Sequence, residues 1–223
     1  MNINMAKTLQ EIYIEKTTER EDAPVLNFLK SLDKGKNYKY LEVGAGTGRF
    51  PLLAKSSFKN LEIECLEINQ KLSDKLAGNG LKTTSGSVLN MPFQNDGFDI
   101  VHCSHLIEHF GYPDITKVLD ELFRVVKAGG YVIIRTPLMH PNFYADIDHI
   151  RPYPLRTLIQ YTNAEEQQRS PNFKAKLLSF WNRHWAPEFR NLRRVNKILQ
   201  ILWMYANWPK SKANGYVAIF KKI

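Results

Sequence analysis

The sequence predicts an α/β fold, a mostly parallel sheet with helices on both faces, built as one domain. Three observations predict it. Tyr38-Lys-Tyr-Leu-Glu-Val-Gly-Ala-Gly-Thr-Gly-Arg-Phe50 reads as a buried strand running into a glycine-rich turn. Apolar strand-like runs then alternate with amphipathic helical stretches as far as Pro137. A carboxylate, Glu67, closes the second strand 21 residues beyond Gly46, where a nucleoside ribose is commonly held.

The elements follow in order. Residues 5–14 and 22–32 have helical patterning, with Asp22-Ala-Pro24 as a cap and first turn and Val25, Leu26, Phe28, Leu29 and Leu32 as an apolar stripe. Leu41 and Val43 suit a strand buried on both faces. Gly44, Gly46 and Gly48 permit unusual backbone angles and close approach of a ligand to the main chain. A helix starts near Arg49, so its first amides face the turn. Leu61–Glu67 is the second strand, and Asn69 caps a helix stopped by Gly78-Asn-Gly80. Leu81–Ser85 and Phe98–Cys103 are the next strands. Pro113 opens a helix with Ile115, Val118, Leu119, Leu122, Phe123 and Val126 at core spacing. Tyr131–Thr136 is β-rich. Leu155–Tyr161 reads as a short helix, residues 162–176 as loop, Lys176–Trp181 as a weakly marked strand, Arg193–Tyr205 as a helix and Gly215–Phe220 as the last strand.

The pattern E-x-G-x-G-x-G at Glu42–Gly48 resembles motif I of class I S-adenosylmethionine (SAM) methyltransferases. Gly86–Ile100 is similar to that family's G-D-A-x-x-L-P-F-x-D-x-x-F-D segment, with Ser87 replacing the usual acid. Lys127-Ala-Gly-Gly130 is similar to its K-P-G-G turn. The match runs in order from Leu41 to Pro137 and implies the Rossmann-like, seven-stranded methyltransferase sheet with a helical C-terminal insertion. It implies SAM as cofactor, with Glu42, Gly44, Ala45, Gly46 and Gly48 at its methionine and ribose portions. It further implies Glu67 and Ile68 at the ribose and Ser87 and Val88 at the adenine. Ser104 and His105 lie at the carboxyl end of the fourth strand, where ligands of open α/β sheets collect, and His105 is a candidate cofactor-wall or substrate contact. The implied organisation is a helical cap over 1–37, a SAM-binding core over 38–136, a substrate loop and basic helical insertion over 137–213, and a last strand over 214–223.

The substrate side follows the fifth strand. Asp146-Ile-Asp-His-Ile-Arg-Pro-Tyr153 looks like the D-x-T-H-x-R-P-[FY] segment of bacterial methyltransferases that modify glycans or cell-surface polysaccharides, with Asp148 replacing threonine. Methylating an alcohol requires alignment and proton removal. His149 is the natural base, with Asp146 or Asp148 orienting it, and His105 and His140 are rivals. Glu108 and His109 read as braces of the following turn. No metal is assigned, because the spacing around His149 is weak and no Cys/His pattern suggests zinc.

Composition bounds the partners. The chain has 223 residues and a net charge of +9. Residues 151–223 hold 14 Lys/Arg and 3 Asp/Glu, a balance of +11, whereas residues 1–150 hold 17 and 19, a balance of −2. An anionic substrate or surface would match the basic third. The helix at 193–205, with Arg193, Arg194, Lys197 and nearby tryptophans, suits either a lid or an anionic membrane surface. There is no run of about 18 apolar residues and no signal-peptide core. Cys65 and Cys103 fall in separate strands as reduced thiols, so a cytoplasmic location is expected, with peripheral contact at the inner membrane. The first expectation is O-methylation of a sugar or glycan-linked intermediate. A lipid, quinone or other small metabolite is the alternative acceptor, and an idle SAM-binding partner protein is the alternative of another class. Nucleic acid is disfavoured, since no RNA-binding motif or amino-DNA methyltransferase motif is present. Nothing in the sequence marks a particular oligomeric state.

Overall fold

The computed structural model describes residues 7–163 and 171–223. Its elements, in chain order, are α1 (Leu9–Ser31), β1 (Tyr38–Val43), α2 (Arg49–Ser57), β2 (Leu61–Glu67), α3 (Gln70–Gly78), β3 (Lys82–Ser85), β4 (Phe98–Ser104), α4 (Asp114–Val125), β5 (Val126–Pro137), α5 (Leu155–Thr162), β6 (Ala175–Arg183), α6 (Arg193–Ala206) and β7 (Gly215–Lys222). They form one seven-stranded sheet in the order β3-β2-β1-β4-β5-β7-β6. All pairs from β3 to β5 are parallel, and β7 runs antiparallel to both β5 and β6. The carboxyl ends of β1, β2, β4, β5 and β6 therefore share one edge. Ligands of open α/β sheets collect at such an edge.

Side-chain alternation sorts the core into two layers. On one face Tyr40, Cys65, Ile100, Ile133 and Ile219 pack under Val25 and Leu29 of α1 and Phe50 and Ala54 of α2. On the other, Leu41, Val43, Val101, Val132 and Phe220 pack against Val118, Leu122 and Phe123 of α4. Both faces are covered, so the central strands are apolar almost throughout. Both cysteines are free and buried in this core. Burial, reinforced by the Glu42 carboxylate, pushes the Cys65 thiol up to about 12, which leaves it unreactive.

Two expectations change. The N-terminal segment forms a single 23-residue helix in place of two. Residues 5 and 6 of the expected first helix lie outside the described residues. Thr8 and Glu11 form a reciprocal capping box that sets the start of α1. Pro24 lies inside α1 and removes one rung of its ladder, yet burial of Val25 and Leu29 carries the helix past it. Asp22 is thus no cap but an interior residue, 2% exposed. β5 also begins earlier than expected, at Val126, where the ladder with β4 shifts register between Phe98 and Ile100. Gly129 takes a positive φ of 75° in that irregular stretch. Part of the expected 162–176 loop, residues 164–170, lies outside the described residues. Among the described residues no helix is long and apolar enough to cross a membrane.

Candidate active site

The glycine turn leaves β1 at the shared edge. Gly44, Gly46 and Gly48 all have positive φ, at 71°, 55° and 80°, angles that L-residues resist. The Gly44 and Ala45 amides donate to the Leu66 carbonyl, and the Gly48 amide donates to the Ala45 carbonyl. A Cβ at Gly46 would meet no atom within 4 Å, whereas one at Gly48 would lie 2.3 Å from Leu76. The space over Gly46 is therefore open, and the space at Gly48 is filled by packing.

Glu67 locks the turn to β2. Its Oε2 accepts from the Gly46 amide at 2.7 Å and its Oε1 from the Asn69 amide at 2.9 Å. Each carboxylate oxygen keeps one lone pair, enough to receive two vicinal ribose hydroxyls. Ile68 beside it is 72% exposed and offers an apolar surface at the same rim. Glu42 lies deeper. Its Oε2 accepts from the Tyr40 hydroxyl at 2.6 Å and from His102 Nδ1 at 2.9 Å. His102 is fully buried with Nε2 unpartnered. Burial and the Glu42 charge hold the Tyr40 hydroxyl well above its ordinary value, so it stays a donor. The Ser87 hydroxyl accepts from the Leu89 amide at 3.2 Å and keeps its proton to donate, while Val88 is buried. An open glycine cradle, a carboxylate with spare acceptor sites and an apolar rim fit a SAM molecule.

The wall beside the turn is ionic. Asp22 of α1 pairs with Arg49 at 2.5 Å and with Arg135 of β5 at 2.8 Å, and Arg135 Nε donates to the Ser104 hydroxyl at 2.7 Å. Burial works to raise the Asp22 carboxyl, but bonds from the two guanidinium groups hold it below the usual range.

The acceptor side centres on Glu108, a residue that sequence reasoning reads as a brace. It is fully buried, and its Oε2 accepts from Thr136 at 3.0 Å. His105 Nδ1 lies 3.3 Å and His149 Nε2 4.0 Å from Oε1. Neither contact has hydrogen-bond geometry, so Oε1 is buried without a hydrogen-bond partner. Burial works to raise the Glu108 carboxyl, but the neighbouring His105, a backbone amide and the Thr136 hydroxyl together hold it below its ordinary value. His105 has a positive φ of 51°, a backbone state uncommon outside glycine. Leu106 packs on Gly44, so His105 and the glycine turn share one rim. Arg183, at the end of β6, pairs with Glu21 at 3.2 Å and comes within 3.5 Å of His105 Nε2.

The other predicted residues are placed as follows. His149 Nδ1 donates to the Phe143 carbonyl at 2.7 Å. Asp146 stands 3.8 Å from His149 Nε2 without a hydrogen bond, and Asp148 turns its carbonyl to His109 Nδ1 at 3.1 Å. His140 packs on Trp185, and burial with the Arg183 charge lowers its ring below its ordinary value. Glu21, Asp22, Glu108, Arg135 and Arg183 had no strong local signal. Only Glu108, one turn beyond His105, could have been paired by spacing.

This sheet order is the fold of class I SAM-dependent methyltransferases, and the glycine cradle and ribose-type carboxylate fit their cofactor. Residues 41–134 match a family model described as a methyltransferase domain. The chain is similar to the uncharacterized methyltransferase YcgJ of Bacillus subtilis, 21% identical across 90% of this chain and 75% of that protein. It is also similar to 2-methyl-6-phytyl-1,4-hydroquinone methyltransferase 1 of Oryza sativa, 30% identical over 48% of this chain but spanning only 32% of that protein. Among solved structures, a SAM-dependent methyltransferase from Archaeoglobus fulgidus aligns with a TM-score of 0.58 at 19% identity, covering 95% of this chain and 94% of that one. SAM is the cofactor.

Proposed function

We propose that the enzyme methylates a hydroxyl of a sugar or glycan-linked intermediate, and that His105 takes the hydroxyl proton. The observation that carries the reading is a half-exposed histidine, in a positive-φ state, beside the buried Glu108 carboxylate at the rim of the glycine turn. Bound SAM supplies a methyl group already activated on a sulfonium. The chain's own residues then have three tasks. The glycine cradle and Glu67 hold the nucleoside, the Asp22–Arg49–Arg135 wall fixes the edge of the cleft, and His105 accepts the proton with Glu108 stabilising the imidazolium. The glycan reading is supported by the Asp146–Tyr153 segment and by the +11 balance of residues 151–223. Exposed cations there would suit a phosphate-bearing sugar.

The test is release of S-adenosylhomocysteine with sugar nucleotides beside quinols and phenols. The expected result is turnover with an anionic sugar, lost by at least ~100-fold in His105→Ala while adenosylhomocysteine binding stays intact. Turnover with a quinol alone would favour the second reading, methylation of a quinone or lipid, which the likeness to the rice hydroquinone enzyme supports.

A peripheral membrane contact is part of the same proposal. α6 docks on α1 through Trp203 and Met204, with Tyr13 5.3 Å from the Trp203 ring. Docking leaves Ile198, Ile201, Leu202 and Tyr205 at least 39% exposed, beside exposed Arg193, Arg194 and Lys197. Apolar and cationic side chains on one helix suit an anionic bilayer interface.

A further inference from the structure

We propose that Glu108, His109 and His149 bind a divalent cation of the zinc type, which seats the acceptor hydroxyl. The inference deepens the O-methylation reading and rests on it for the cation's role, but not for the cation's presence. One ligand atom from each residue lies within 4.8 Å of the other two. Two further observations make this more than proximity.

The first is the buried Oε1 of Glu108. It is a buried carboxylate oxygen with no hydrogen-bond partner. Burying such an atom is unfavourable unless a donor or a cation meets it. The second is the state of the two rings. His149 Nδ1 faces the Phe143 carbonyl and His109 Nδ1 the Asp148 carbonyl. A carbonyl oxygen only accepts, so Nδ1 carries the proton in both rings, and in the neutral ring the lone pair sits on Nε2. Metal-binding histidines are usually held this way, by a backbone carbonyl on the nitrogen away from the ion. At His149 an Nε2 lone pair then faces the Glu108 Oε1 lone pairs across 4.0 Å, too far for a shared proton, and His105 Nδ1, 3.3 Å from the same oxygen, makes no hydrogen bond to it.

The donor set decides the kind of ion. Two imidazoles and one carboxylate with an open position match a catalytic zinc site, and imidazole also accepts cobalt, nickel and iron. Ligand bonds of ~2.1 Å in a tetrahedron put ligand atoms about 3.4 Å apart, so the 4.0 Å gap closes by small side-chain rotations. Asp146 Oδ2, 3.8 Å from His149 Nε2 and exposed, can add a fourth ligand or leave the position to the acceptor. A hydroxyl oxygen bound there loses its proton more readily. The proton passes to His105, the O–CH3 bond forms as the S–CH3 bond breaks, and the cofactor leaves as a neutral thioether. His149 is then a ligand rather than the base, which accounts for its Nε2 standing near the Glu108 and Asp146 carboxylates.

The test is calorimetric titration with Zn2+, together with the visible absorption of added Co2+, on the apo-enzyme without SAM or acceptor. Variants are His109→Ala, His149→Ala and Glu108→Gln, each checked for folding by circular dichroism. His109 is only half-buried, so its variant answers even if Glu108→Gln fails to fold. The expected result is one Zn2+ per chain, a Co2+ spectrum of a histidine-ligated open site, and affinity at least ~10-fold weaker in each folded variant. No binding by the wild type, or equal binding by wild type and His109→Ala, overturns the proposal. Because the acceptor is absent, a failed sugar screen with intact cation binding would count against the glycan reading alone.

Discussion

At the scale of single residues the cofactor cleft separates stability from binding. Gly46 and Gly48 share a left-handed backbone but face different surroundings. Gly48→Ala adds a methyl group against buried Leu76, so it should cost about 1–2 kcal/mol for the backbone state and a further ~1–3 kcal/mol for overpacking. Gly46→Ala meets no neighbour, so it should cost only the backbone part yet abolish adenosylhomocysteine binding by filling the open cradle. Urea melts beside binding isotherms would check the pair; equal binding loss at both positions would contradict it. Glu67→Gln should weaken the nucleoside by ~10-fold or more, since bonds to a charged acceptor are worth ~1.5–3 kcal/mol. Titration with adenosylhomocysteine measures this directly.

At the scale of elements, one carboxylate ties α1 to two others. Asp22 joins the helix to the start of α2 and to β5 through two guanidinium groups. Asp22→Ala leaves Arg135, 6% exposed, buried and unpaired, so it should destabilise by about 3–5 kcal/mol. The pH dependence follows from the lowered Asp22 carboxyl. Its contribution is complete above the unfolded-chain value of ~3.9 and is lost as pH falls through the lower folded value. Asp22→Asn should therefore be less stable at neutral pH and show a flatter acid limb in pH-dependent unfolding. This tie also marks where the sequence is legible. The strand–glycine–helix unit, the Asn69 cap and Glu67 are written within a few positions, as period, cap and turn chemistry. Asp22 meets partners 27 and 113 positions away, so its motif resembles a helix start, and only the folded sheet supplies the guanidinium groups. Glu108 is similar: Thr136 and His149 reach it only once β5 and its following loop are in place.

At the scale of the whole molecule, charge and exposed apolar surface coincide on the C-terminal third. Vesicle flotation should show binding to anionic but not neutral bilayers. Replacing Ile198 and Tyr205 by serine, both exposed on α6, should remove it without altering adenosylhomocysteine affinity; unchanged flotation would sink the membrane reading. The sheet order has a consequence of another kind. β7 is synthesised after β6 yet lies between it and β5. Before β7 inserts, β5 presents an open edge and β6 has no strand to join, because among the described residues β6 pairs with β7 alone. Closing that gap pairs Arg135 with Val217 and Trp181 with Val217 in one event, the first across a separation of some eighty residues. Long-range pairings of this sort are slow, and until they form the exposed β5 edge can recruit a strand from a neighbouring chain. Refolding yield should consequently fall with protein concentration.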